Sequence, residues 1–312
     1  MEENIVNVYL SISFFAILGV LIRIELNKLE SELYIYLPLI LTNSIGCILL
    51  GFINNFKLVL TNWQYAFYIG LSTGLCGSIT TFSSWNLAIF QDFFNLPSMG
   101  KYSYVNIVTG IVETVVSLTA YTSLIKFGSH LGKLIPFSSD IETTTTVIRR
   151  EKPELNTKFI IYACLTLAAI VAAIVLAIVD DNNSKIWISC ILAPFGACLR
   201  YILSFRNSMY PNFPLGTFLA NIIGTLCLGI FFIFRFAFDK KEFLCHFLIA
   251  VADGFCGCLT TISTFINEIV SLNTKYLYFY CIVSIATAQI VLLITFGFYG
   301  WTSGLKNGMM NC

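Results

Sequence analysis

A chain of 312 residues with 57% hydrophobic residues, 11% charged residues and a mean hydropathy of +0.81 has more apolar surface than one water-soluble core can bury, so lipid is its expected solvent. Its net charge of +1 and lack of any arginine-rich or lysine-rich tract exclude nucleic-acid binding. No paired catalytic carboxylates, metal-ligand cluster, nucleophile elbow or phosphate loop is present, and His130 and His246 fall near span ends, so the chain is not read as an enzyme.

Apolar stretches long enough to cross about 30 Å of hydrocarbon recur along the whole sequence. The first, 5–24, follows Glu2 and Glu3 rather than a basic segment and lacks an evident cleavage site, so it is expected to be retained as a span. Spans at 33–56, 64–94 and 103–126 follow. A polar stretch then runs from about Gly128 to Thr157, with a threonine run from Thr143 and a basic cluster of Arg149, Arg150 and Lys152. With Lys126, Lys133 and Lys158 at its margins, this loop has the largest basic excess in the chain, and the positive-inside rule assigns it to the cytosol. Five more spans are expected, at 158–179, 185–205, 212–236, 243–271 and 276–302. Four crossings before the loop make the N-terminus cytosolic, and five after it put the C-terminus outside. The eleven cysteines, an odd number scattered through apolar spans, read as small packing residues.

Short signatures recur in one order on both sides of the loop. GVLIR ending at Arg23 returns as GACLR ending at Arg200, 177 residues later; NSIGCILLG from Asn43 returns as NIIGTLCLG from Asn221, 178 later; GLCGSITTFSSW from Gly74 returns as GFCGCLTTISTF from Gly254, 180 later. Each copy holds four spans, so direct fusion would leave both in the same orientation. The span at 158–179 has no counterpart in either copy, and this extra crossing inverts the second. The expected fold is an all-α membrane protein of nine spans. Two inverted four-helix repeats, 1–127 and 185–312, are joined by 128–184, a polar cytosolic linker plus a linking transmembrane helix. Inverted repeats put a conduction site near the midplane between the halves.

These motifs, GxxxR, NxxGxxxxG and GxCGxxTTxS, each present twice, resemble the fluoride channels, called Fluc or CrcB in bacteria and fluoride exporters in eukaryotes. Bacterial members resemble half of this chain and pair antiparallel; the sequence is similar to the fused form, which works as a single chain. The resemblance implies a plasma-membrane protein that confers fluoride resistance by passive export of fluoride, and it implies a structural sodium ion on the backbone carbonyls of Gly77, Thr80, Gly257 and Thr260.

Fluoride is small and strongly hydrated, so its path through lipid must offer hydrogen-bond donors in place of water. Asn43 and Asn221 each supply two amide donors without a fixed charge; a transmembrane Asn also serves as interhelical glue, and residue type alone leaves both readings open. The third span of each half holds Gly74, Gly77, Thr80 and Thr81, or Gly254, Gly257, Thr260 and Thr261, where a helix break is expected. Arg23 and Arg200 occupy matched positions near span ends, as vestibule residues or as helix-end anchors. The acids Glu113 and Asp253 have no identical counterpart in the other half, and no role is assigned to them.

Just after the break the family carries two phenylalanines three residues apart, whose electropositive ring edges can face an anion. Here those positions are Phe82 and Trp85 in the first half, Ile262 and Phe265 in the second. In the family each pore takes its first Phe from one unit and its second from the other. Phe82 is therefore expected to pair with Phe265 in a working pore, and Ile262 with Trp85 in a vestigial one. Thr217 stands where the first half has Leu39, and Glu268 where it has Ala88. With Ser263, Thr264, Tyr280 and Ser284, these residues form the polar track that the resemblance implies for the working pore, with Asn221 favoured over Asn43. Two other classes stay open: a proton-coupled fluoride or multidrug exchanger using Glu113, Asp253 and Glu268, and a receptor or scaffold without transport.

Overall fold

The computed structural model describes residues 5–94, 104–135, 155–237 and 242–299. The threonine run and the basic cluster of the central linker lie outside the described residues, as do both ends of the chain. Every regular element among the described residues is helical.

Helix α1 (Ile5–Glu32) ends well before α2 (Ile40–Asn55), because Tyr34 and Leu39 take left-handed backbone angles, φ 53° and 61°, on either side of Pro38. The first turn of α2 is capped from α1: the Glu30 carboxylate accepts the N–H groups of Leu39 (2.9 Å), Leu41 and Thr42 (3.1 Å), orphan donors that a helix start cannot satisfy itself. A sharp elbow at Phe56 leads into α3 (Lys57–Ile69), which widens through a π-helical turn (Gly70–Cys76) and one short turn (Gly77–Ile79) before the chain extends at Thr80. Helix α4 (Phe82–Phe94) follows, and α5 (Tyr104–Lys133) completes the half. It runs some residues past the expected start of the polar loop. Helix α6 (Leu155–Val179) lies between the halves in sequence.

The second half repeats the pattern. Helix α7 (Ser184–Ser204) precedes α8 (Leu215–Ala237); α9 (Glu242–Ala250) widens through Val251–Cys256 and Gly257–Leu259; the chain extends at Thr260 and Thr261; α10 (Ile262–Ser271) and α11 (Thr274–Leu292) follow. Both expected breaks are present at the expected threonines.

Among the described residues, seven stretches are long and apolar enough to cross a membrane: Ile5–Glu32, Tyr104–Lys133, Thr157–Val179, Asp181–Met209, Leu215–Arg235, Phe243–Ser271 and Thr274–Gly297. An eighth is counted if Ile40–Asn55 and Lys57–Phe94, bent by 108° at their junction, are taken as one span. The sequence reading counted this pair as two spans. The difference arises because α2 begins only after Pro38 and is 16 residues long.

The halves interlock at their first helices, α1 against α7, with α6 packed on both. The segments after the breaks are shared across the interface. Helix α4 packs on α5 but also on α8 and α11, and α10 packs on α2 and α5 of the first half. Removing the α2 cap with Glu30→Ala is expected to cost about 1.5–3 kcal/mol, the scale of a charged hydrogen-bonding group. Thermal unfolding in detergent would read this as a lowered midpoint, with a smaller loss for Glu30→Gln, which keeps one acceptor oxygen.

Candidate functional site

Where a helix breaks, the N–H groups after the break lose their partners. Here two of them are capped from the opposite half. Thr260 Oγ1 accepts the N–H of Ser83 at the start of α4 (3.2 Å), and Thr80 Oγ1 accepts the N–H of Ser263 at the start of α10 (3.1 Å). The hydroxyls close into a knot, with Thr80 to Thr261 and to Ser263 each at 3.0 Å, Thr81 to Thr260 at 3.1 Å and Ser83 to Thr260 at 3.0 Å. Ser263, expected on the pore track, lies fully buried in this knot and also donates to the Cys76 carbonyl. Thr264 is half-buried beside it.

Asn43 and Asn221 clamp the same breaks. Asn43 Oδ1 accepts the N–H of Thr81 at 2.9 Å, and Asn221 Oδ1 that of Thr261 at 2.9 Å, which fixes which way each amide faces. Each Nδ2 turns toward the carbonyl of the same threonine, at 3.5 and 3.3 Å. They differ in the remaining amide hydrogen. Asn43 gives it to Tyr121 Oη (3.3 Å), whereas Asn221 meets no further protein acceptor among the described residues.

The arginines are not at a pore mouth. Arg23 and Arg200 are 2% and 3% exposed and reach the interface between the breaks. Arg200 Nη1 donates to the carbonyls of Gly77 (2.8 Å), Cys258 and Thr260 (3.1 Å), and Nη2 to that of Thr73. Arg23 donates to the Ser78 carbonyl (2.7 Å) and to the Asp253 backbone oxygen. Neither has an ion pair among the described residues. The expectation of a vestibule is corrected by a simple need: a guanidinium away from water requires acceptors, and the breaks expose carbonyls.

This bears on the sodium set. Of its four carbonyls, those of Gly77 and Thr260 already accept Arg200. A further monovalent cation about 4 Å from the guanidinium would meet a repulsion of about 4 kcal/mol at an effective dielectric near 20. The oxygens in this arrangement fit the internal cation and not a second one.

Beside the knot the aromatic rings form a ladder. Phe82 and Phe265, from opposite halves and both fully buried, meet edge to face with centroids 5.3 Å apart. Tyr280 follows Phe265 at 5.2 Å. Ile262 and Trp85 share the same buried cluster. The Trp85 indole is fixed by donating to Ser117 Oγ at 3.1 Å and by packing on Tyr121 at 6.2 Å.

Glu268 collects three donors: Thr217 Oγ1 (2.6 Å) and Asn207 Nδ2 (2.9 Å) on one oxygen, Tyr280 Oη (2.9 Å) on the other. Ser284, one turn along α11 from Tyr280, is buried with its hydroxyl unpartnered. Asn207 is missing from the sequence reading. It donates to Thr217 Oγ1 (3.1 Å) and accepts the Thr217 N–H (3.1 Å), capping α8 as Glu30 caps α2. A signal existed, since Glu30 and Asn207 each lie seven residues after the repeat's arginine. Tyr121 and Ser117 carried no such signal.

Comparison with known proteins agrees with this doubled arrangement. The family model described as CrcB-like protein, Camphor Resistance (CrcB) matches twice, over residues 10–123 and 187–301. Fluoride export protein 1 of Candida albicans is 31% identical, over 96% of this chain and 81% of that protein. Fluoride export protein 1 of Saccharomyces cerevisiae is 30% identical, over 98% of this chain and 96% of that protein. The fluoride-specific ion channel FluC of Acinetobacter baylyi is 36% identical over 116 residues, which is 90% of that protein but 36% of this chain. No solved structure matches. With both copies of the family unit in one polypeptide and relatives similar from end to end, the chain belongs to the CrcB family, in its fused two-copy form.

Proposed function

We propose that this chain is a plasma-membrane channel that lets fluoride leave the cytosol passively, through one working pore lined by Phe82 and Phe265. The observation that carries the reading is the meeting of these rings from opposite halves at 5.3 Å; the spare amide hydrogen of Asn221 and the unpartnered hydroxyl of Ser284 add two neutral donors. Ring edges and neutral donors attract a small anion without holding it as a fixed positive charge would. Thr217 and Asn221 stand one turn apart on α8, so Glu268, Thr217 and Tyr280 belong to the same route. The Ile262 and Trp85 side is vestigial: an indole anchored on Ser117 fills it, and Asn43 has given its hydrogens to protein acceptors.

In this reading α2 and the α3–α4 segment each cross the bilayer, giving nine spans, a cytosolic N-terminus and an external C-terminus. The 16 residues of α2 reach about 24 Å, a shortfall that local thinning of the bilayer absorbs. The drive is the membrane potential, about 2.3 kcal/mol per 100 mV for a monovalent anion. A proton-coupled exchanger is the second reading, favoured by Glu113, a buried acid that lies beside the Asp92 carboxyl. A fluoride flux in liposomes that stops without a proton gradient would select it.

In cells lacking their own fluoride exporter, Phe82→Ile and Phe265→Ile are expected to abolish the resistance the chain confers, while Trp85→Ala keeps it. Equal loss at all three positions would remove the single-pore assignment. Asn221→Ala is expected to slow fluoride efflux from liposomes by about tenfold or more, the effect of losing one well-placed donor worth about 1.4 kcal/mol or above. Asn43→Ala should act on stability, seen as a lower unfolding midpoint with residual flux.

A further inference from the structure

The centre of the molecule holds two guanidinium groups and a set of backbone oxygens, arranged with near two-fold regularity. Arg200 of the second half lies against Gly77 of the first: a Cβ at Gly77 would collide with its Nη2 and Cζ. Arg23 of the first half lies against Gly257 of the second, where a Cβ would collide with its Nη2, Cζ and Nη1. The two glycines therefore form slots for the opposite arginines, and the GxxxR motif of each copy is completed by the GxCG motif of the other.

We infer that Arg200 is itself the resident cation of this centre, so that the two helix breaks are held together without a bound alkali-metal ion. Three observations carry the inference. Its Nη1 takes the carbonyls of Gly77 and Thr260, one from each break, together with that of Cys258. Its charge is joined at the same interface by that of Arg23, and neither is neutralised by an ion pair among the described residues. The Gly77 and Thr260 oxygens, half of the expected sodium set, thus already face positive charge, and directed N–H groups satisfy them where a spherical ion would compete.

This inference is independent of the fluoride reading, because its main measurements involve no transport. Purified full-length protein is unfolded by heat in buffers whose sodium is replaced stepwise by N-methyl-D-glucamine, and its retention of radioactive sodium is measured at equilibrium. A chain that binds sodium in the folded state must gain stability as sodium rises. The expected result is a midpoint that does not move and no retained sodium. Fluoride efflux from liposomes is expected to differ by less than about twofold between the two salts, since no binding step is linked to sodium. Arg200→Gln vacates the oxygens, and its midpoint is expected to rise with sodium. Arg200→Lys keeps the charge and is expected to stay sodium-independent. A wild-type midpoint that climbs with sodium, or sodium retained at about one ion per chain, overturns the inference; the wild-type titration decides even if Arg200→Gln does not fold. A chain that passes no fluoride in either salt but has a sodium-independent midpoint would leave this inference standing and remove the proposed function instead.

Discussion

Two positive charges buried between helices, without an ion pair among the described residues, must be satisfied by the backbone, and the rest of the structure follows from that requirement. In an intact helix each carbonyl already accepts the N–H four residues on, so a carbonyl freed by a break is the better acceptor. The chain extends at Thr80 and Thr260, and the Thr260 carbonyl so released accepts Arg200. A break without an arginine would leave bare acceptors in a dry interior, and an arginine without a break would be an unpaired charge there. The two features make one device, present twice, with each half completing the other.

The scaffold that holds this device is nearly symmetric, whereas the surfaces beside it are not. Threonine hydroxyls cap the opposite helix in both directions, asparagines clamp both breaks, and the seventh residue after each arginine caps the second helix of its half. The differences fall just outside. Leu39 faces Thr217 across the repeat, Trp85 faces Phe265, and the spare hydrogen of Asn221 is spent in Asn43 on Tyr121. Residues that close the interface have partners in the other half, and the residues that differ lie outside the knot.

Much of this was legible in the sequence. The breaks were placed at the right threonines because their cause is local, glycine and threonine within an apolar run. The pairing of Phe82 with Phe265 came from the resemblance, whose pore rule was applied to the aligned repeats. The arginine partners were not legible. Arg23 lies 230 residues from Asp253, and Arg200 lies 123 residues from Gly77, so a single motif read alone shows a charge near a helix end and nothing of its acceptors. The short α2 was missed because the apolar stretch begins at Leu33, whereas the helix starts only at Ile40, after Pro38. The cap supplied by Glu30 crosses a loop whose left-handed residues, Tyr34 and Leu39, are not types that announce such angles.

Fusion gives this symmetry a consequence that two identical chains do not have. In a pair of identical subunits any substitution appears on both sides of the interface, so a bulky indole at one lining position would also appear at its equivalent. In one polypeptide Trp85 and Phe265 are separate choices. The cross-capping works the other way: the first turn of α4 depends on Thr260 and that of α10 on Thr80, so neither half can satisfy its own break alone. The interface therefore keeps the halves matched at the knot while leaving each lining residue free to change once. Matched motifs beside mismatched aromatics are the pattern those two constraints produce together.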